Sequence, residues 1–168
     1  MSTTPDQLSQ PDFEKTRDFL KKHPVAVLAT ADAAGNPHAS TIYITVDDDL
    51  QITFTTKHET NKYKNIAQNN HVVAVIYEAE SQTAVQISGR AIEVSDPESQ
   101  QQIYKGTLQA AQQTGEDVVP PIAKIAAGPY VGFTIEVDDI QLLEYGWGDT
   151  FATALKYAND PKNNGDPL

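Results

Sequence analysis

The residues best suited to hold an anion lie in one short stretch, Phe54-Thr-Thr-Lys-His-Glu-Thr-Asn-Lys-Tyr-Lys-Asn-Ile66. Lys57, Lys62 and Lys64, three of the twelve basic residues, fall here within eight positions beside a single acid, Glu59. The chain as a whole carries a formal charge of -11, so this island of positive charge runs against its background. The stretch also spans a change of pattern, from the β-branched run Leu50 to Thr56 to a helical spacing that begins near Thr60. A strand that turns into a helix N-terminus presents unpaired backbone N–H groups and the positive end of the helix dipole. Thr60 reads as the N-cap, which puts Lys62 at the second helical position, where the dipole disfavours a cation unless an anion binds. A phosphate is the simplest such anion. Lys57 and Lys64 read as solvated, or as a supporting field.

Other residue types offer less. There is no cysteine, so disulfides and thiol chemistry are excluded. His23, His38, His58 and His71 show no metal-ligand spacing, and no metal site is expected. Ser40 and Ser88 lack a Gly-x-Ser-x-Gly elbow. Asp47-Asp-Asp49 suits a solvated turn and lacks the longer loop and terminal glutamate of a calcium hand. Tyr130, Tyr145 and Trp147 suit packing at a barrel edge. No side chain stands out as a general acid or base, so catalytic residues are not assigned.

The elements that position the stretch follow from periodicity. Asp12 to Lys22 reads as an amphipathic helix capped by Asp12, with Phe13, Thr16, Arg17 and Leu20 on one face. Val25 to Thr30, His38 to Val46 and Leu50 to Thr56 read as three strands of an antiparallel meander. The helix from Thr60 to about Asn69 is expected to bury Tyr63, Ile66 and Ala67. Val72 to Tyr77 and Ala84 to Val94 read as strands, and Asp96-Pro97-Glu98 starts a helix that ends near Gly115. Glu116 to Pro129 reads as irregular. Tyr130 to Val137 and Ile140 to Tyr145 read as two further strands. In the tail, Phe151, Ala154, Leu155 and Ala158 have the spacing of a short docked helix. The fold class is mainly β: an antiparallel barrel of six to seven strands with short flanking helices.

At 168 residues the chain suits a single domain. The organisation expected is a disordered segment over 1–11, the barrel over 12–145 and a tail over 146–168. Met1 to Pro11 is polar without an apolar h-region, and no run approaches the roughly 20 apolar residues of a membrane span. A cytoplasmic location fits. The acidic balance argues against nucleic-acid binding, because a phosphate backbone would be repelled.

Four segments in this order carry a resemblance: Val25-Ala-Val-Leu-Ala-Thr30, Gly35-Asn-Pro-His-Ala-Ser-Thr-Ile-Tyr43, the Phe54 to Ile66 stretch, and Val85-Gln-Ile-Ser-Gly-Arg-Ala91. The chain resembles the pyridoxamine 5′-phosphate oxidase-like family of flavin-binding split β-barrels, and most nearly its general stress protein branch. The resemblance implies an FMN site in which Thr55 and Thr56 meet the ring and ribityl chain. It implies that Thr60, Asn61 and Lys62 hold the phosphate, and that Ser40, Thr41 and Ile42 lie along the ring. Two positions depart from it: Asn61 and Ser40 stand where, or near where, the oxidases have arginine. Asparagine cannot make arginine's bidentate phosphate contacts. The oxidases' substrate-binding residues near the C-terminus are not recognisable, so pyridoxamine phosphate oxidation itself is not expected.

Magnitudes favour a ligand with two parts. Charge-assisted hydrogen bonds contribute about 1.5–3 kcal/mol each, whereas association costs roughly 4–15 kcal/mol. Micromolar affinity needs about 8 kcal/mol net, so a large flat ring must supply what a phosphate cannot. The resemblance therefore implies a homodimer that binds FMN at the subunit interface as an oxidoreductase of a small substrate, with NAD(P)H as an electron donor. The alternatives are FAD or a deazaflavin in the same site, a flavin-binding stress or sensor protein without turnover, a haem-binding barrel, and a plain interaction module.

Overall fold

The computed structural model describes residues 10–115, 117–118, 129–145 and 153–158. In chain order its elements are α1 (Gln10–Lys22), β1 (Val25–Ala31), β2 (Pro37–Val46), β3 (Ile52–Lys57), α2 (Asn61–Gln68), β4 (His71–Glu78), β5 (Thr83–Glu93), α3 (Pro97–Gln112), β6 (Tyr130–Glu144) and β7 (Thr153–Ala158). Period-two alternation sets the strand faces: in β1, Ala26, Leu28 and Thr30 turn inward, while Val25 and Val27 turn out. Two aspartates make the tight turns of the β1–β2–β3 meander. Asp32 accepts the N–H groups of Ala34 and Asn36, and Asp47 accepts those of Asp49 and Gln51.

The strands run in the order β3-β2-β1-β4-β5-β6, all antiparallel, and pairing of β3 with β6 closes them into a six-stranded barrel. This is the mainly β barrel expected from the sequence. At the closing seam Phe54 lies opposite Phe133, with ring centroids 5.2 Å apart and planes 14° from parallel. Both rings are buried, and they hold the two ends of the sheet together. Gly89 serves the same closure from β5. A Cβ there would stand 2.2 Å from the Glu136 carbonyl oxygen, so only glycine allows β6 to approach at the register shift between Ser88 and Gly89.

Several expectations are corrected. Tyr130–Glu144 is one strand rather than two. Its first half pairs with β3 and its second half carries β7. Thr153–Ala158 is that added strand and not a docked helix, because the free edge of β6 beyond Ile135 offers backbone partners that local spacing does not reveal. Residue 151 lies outside the described residues, as do 1–9, 116, 119–128, 146–152 and 159–168. The first helix starts at Gln10, so Asp12 sits in its first turn rather than at its cap. Strand β3 starts at Ile52, with Leu50 left in a left-handed turn conformation (φ 61°) that its buried side chain holds in place. The caps Thr60 and Asp96 stand as expected, but α3 ends at Gln112.

Among the described residues, no helix is long and apolar enough to cross a membrane, and no group of acidic or histidine side chains is placed to hold a metal ion.

Candidate functional site

Helix α2 begins where β3 leaves the barrel, and Thr60 makes the join. Its extended backbone (φ -75°, ψ 150°) stops the strand, and its hydroxyl oxygen accepts the Tyr63 N–H at 3.3 Å. The same hydroxyl donates to the Lys57 carbonyl at 2.8 Å and lies 3.0 Å from the Thr56 hydroxyl. With its one hydrogen given to Lys57, Thr60 must accept from Thr56, and its capacity is then filled. Thr60 is thus a cap that aims the following residues.

Those following residues meet β1 and β2 at a small cleft of about 160 Å³ lined by Thr30, His38, Ala39, Ser40, Asn61 and Lys62. Thr30 and His38 are directly opposed partners across the β1–β2 ladder. The helix is anchored beneath by Asn65, whose side-chain amide donates to the Thr30 hydroxyl at 3.0 Å with both residues buried. This bond turns Asn65 inward and Ala67 outward, so α2 buries Asn65 and Ile66 and packs a partly buried Tyr63 against the core, while Ala67, expected to be buried, is exposed.

Lys62 is the one lysine or arginine lining the cleft. Burial pushes its ammonium below the ordinary lysine range, and among the described residues no carboxylate pairs with it. A half-buried cation without a counter-charge is a destabilising arrangement that an anion would relieve. Lys57, expected to be solvated, is buried instead at 4 % exposure, its backbone carbonyl occupied by the α2 cap. His58 lies edge-on to Tyr63, centroids 4.3 Å apart. Burial and then Glu93 hold the Tyr63 phenol above its usual range.

The eight residues expected at the site therefore divide. Ser40, Asn61 and Lys62 share the cleft. Ile42 lies in the barrel core at 5 % exposure, and Thr41 is exposed on the opposite face of β2. Thr55 and Thr56 are buried, and Thr55 pairs with Thr107 at 2.9 Å, whose own hydroxyl donates to the Ile103 carbonyl. Donation by Thr55 to Thr107 and by Thr56 to Thr60 spends both hydroxyl hydrogens within the protein. Thr30 and His38 were not singled out from the sequence as site residues. Thr30 lies inside an apolar strand, and only its pairing across β2 and to α2 marks it.

Beyond a cleft of about 310 Å³ between α1, β2 and α3, whose charged residue Lys21 is already paired with Asp48, two larger clefts also fit an anion less well. One of about 310 Å³ beside Phe13, Leu50 and Ile135 has Asp49 and Glu136 as its charged residues, which would repel a phosphate. The other, about 580 Å³ between α1 and the β4–β5 hairpin, holds Lys15 and Lys22 among Asp18, Glu78, Glu80 and Glu144. There Lys15 is already paired with Glu144 at 2.6 Å.

The family model described as pyridoxamine 5′-phosphate oxidase matches residues 13–144. A pyridoxine/pyridoxamine 5′-phosphate oxidase from Paraburkholderia phymatum is 38 % identical over 72 residues, 43 % of this chain. The matched segment spans only 34 % of that protein's length. Among solved structures, PhzG from Burkholderia lata, in complex with tetrahydrophenazine-1-carboxylic acid, superposes with a TM-score of 0.66 at 17 % identity, covering 95 % of this chain and 96 % of that one. A heme binding protein from Mycobacterium smegmatis superposes with a TM-score of 0.62 at 16 % identity, covering 84 % and 57 %. At these identities the two structural likenesses establish the fold alone.

Proposed function

This chain belongs to the pyridoxamine 5′-phosphate oxidase family, and from that premise we propose that it binds FMN, with the phosphate end in the cleft between α2, β1 and β2, and serves as a flavin-dependent oxidoreductase. The observation that carries the reading is Lys62, a half-buried lysine that lines a cleft of about 160 Å³ with no anionic partner among the described residues. Asn61, Ser40 and the buried Thr30 hydroxyl supply neutral polar groups beside it. Thr60 and Asn65 act by holding α2 in place.

The cleft's size bears on the rest of the ligand. At about 160 Å³ it lies below the roughly 300–1,000 Å³ that encloses a molecule of flavin size, so a ring needs a further wall. The face of the same sheet opposite the cleft carries an exposed apolar strip. Val25 and Val27 of β1 and Val75 and Tyr77 of β4 are exposed, at 39 %, 48 %, 36 % and 59 %. Val27 lies opposite Val75 across the ladder. An apolar strip of this kind suits burial against a second copy of the chain, which supports a homodimer. When bound, the flavin supplies the electron chemistry, and the protein supplies binding, orientation and exclusion of water. The buried positions of Thr55, Thr56 and Ile42 leave them to shape the barrel wall behind the site rather than to bind through their side chains.

The visible spectrum of purified protein tests the reading: flavin bands support it, and a colourless protein that takes up no added FMN contradicts it. A Soret band would instead indicate haem. Mass analysis of the released cofactor separates FMN from FAD or a deazaflavin. Anaerobic bleaching by NADH or NADPH supports turnover, and its absence with either favours a flavin carrier without activity.

A further inference from the structure

We propose that His38 is the second cation of the anion cleft, so that binding of a phosphate monoester to this chain is coupled to protonation of the His38 imidazole. The proposal rests on the reading that the cleft takes a phosphate end. A phosphate monoester carries about -1.5 to -2 charges at neutral pH, whereas the cleft holds one lysine and no arginine. Ser40 and Asn61, which also line it, are neutral. The nearby arginine that the ladder brings to this half of the barrel, Arg90, is turned toward Glu136 and Asp138 at 3.3 and 3.8 Å. The chain's net charge of -11 adds a repulsive background. One further positive charge is therefore missing, and His38 is the other basic side chain lining the cleft.

Position supports the assignment. His38 stands opposite Thr30 in the β1–β2 register and two residues before Ser40, so all three side chains share one face of the strand pair. It is exposed, which leaves the ring free to turn toward a ligand. Imidazole changes charge between about pH 5 and 8, and only the imidazolium presents two N–H donors. The charged groups around it are few. From α2 the cleft receives Lys62. From the β1–β2 turn comes Asp32, on which the His38 charge acts. Asp32 is held below the usual carboxylate range, first by the Asn36 side-chain amide and then by backbone N–H groups, so it stays ionised throughout this window. Strands β1 and β2 contribute Thr30, Ala39 and Ser40, which do not titrate there. A bound dianion outweighs Lys62 and tips the balance toward the imidazolium. The direction follows: affinity rises as pH falls and is lost as pH rises.

Two probes on the full chain test this, sulfate and FMN, each titrated calorimetrically between about pH 5 and 8, where imidazole changes charge. Sulfate keeps its charge across that window, so a slope with sulfate reports the protein and not the ligand. Wild-type affinity for sulfate is expected to rise at least about tenfold toward the acid end, the equivalent of one pK unit of coupling, whereas with FMN the rise is offset below about pH 6, where the phosphate itself takes up a proton. Uptake of a proton should show as a buffer-dependent heat. In His38→Gln the sulfate slope disappears, while in His38→Lys affinity stays high and independent of pH. A sulfate slope in His38→Gln equal to wild type overturns the role of His38 and leaves the flavin reading intact. A His38-dependent sulfate slope without FMN binding removes the flavin reading and keeps the proton-linked site. Wild-type protein that binds neither probe overturns both.

Discussion

The Asn65 side-chain amide donates to the Thr30 hydroxyl at 3.0 Å, a buried bond that joins two residues 35 positions apart and ties α2 to β1 beneath the anion cleft. Without it α2 would rest on the barrel through Ile66, Tyr63 and the bond from the Ala33 N–H to Gln68, and the orientation of Asn61 and Lys62 would loosen. Asn65→Ala leaves the Thr30 hydroxyl without its donor, and the expected loss is about 1–3 kcal/mol. Chemical denaturation measures this. The double variant with Thr30→Val should lose less than the sum of the singles, and strict additivity would show that the bond carries no coupling.

Gly89 is expected to tolerate no side chain. The Cβ of Gly89→Ala would overlap the Glu136 carbonyl oxygen at 2.2 Å, both atoms belonging to paired backbone that cannot turn aside. The expected cost is upwards of about 3 kcal/mol, or insoluble protein. A melting temperature within a few degrees of wild type would mean that β6 can shift at this bulge.

Thr60 is expected to act on stability first and on the ligand second. Thr60→Ala should cost about 0.5–2 kcal/mol through loss of the cap. Thr60→Ser should restore both stability and FMN affinity, because the cap needs only an oxygen that can accept from Tyr63 and donate to Lys57. If Thr60→Ala instead lost FMN affinity with unchanged stability, the hydroxyl would be a direct ligand.

The fold should fail in acid through its turns. The Ser81 hydroxyl and the N–H groups of Ser81 and Glu80 hold the Glu78 carboxyl at about 2, well below its ordinary 4.5. Asp96, bonded to Ser99, and Asp32, bonded to Asn36, are lowered as well. A carboxylate whose folded pKa is depressed contributes stability above its unfolded value and loses it as pH falls through the folded one. Stability should therefore fall between about pH 4.5 and 2, and Glu78→Gln should flatten that limb when melting is followed against pH.

How far the fold was legible depended on where the deciding contacts lay. Period-two alternation exposed β1, β2, β4 and β5 because each has one buried face, and Thr60 and Asp96 announced their helices because a cap is a local device. Asp138 and Asp139 looked like a break between strands. They continue β6 because Asp138 faces Arg90 and Asp139 accepts from Gln141. Helical spacing at 154, 155 and 158 lost to the open edge of β6. The anion stretch was visible as a charge island, but its partners were not. Thr30 and His38 reach the cleft only through the strand ladder, and the burial of Thr55 depends on Thr107 from a helix 52 residues away.

Lys62 carries the central claim, and its removal separates binding from folding. Its ammonium is half-buried without an anionic partner among the described residues, so Lys62→Gln should raise the melting temperature of the flavin-free protein slightly or leave it unchanged. The deciding measurement is the FMN dissociation constant of wild type and Lys62→Gln, read from quenching of flavin fluorescence. The account expects wild type to bind FMN and the variant to bind at least about tenfold more weakly, the loss of roughly one charge-assisted contact. Equal affinity in the two proteins would contradict it.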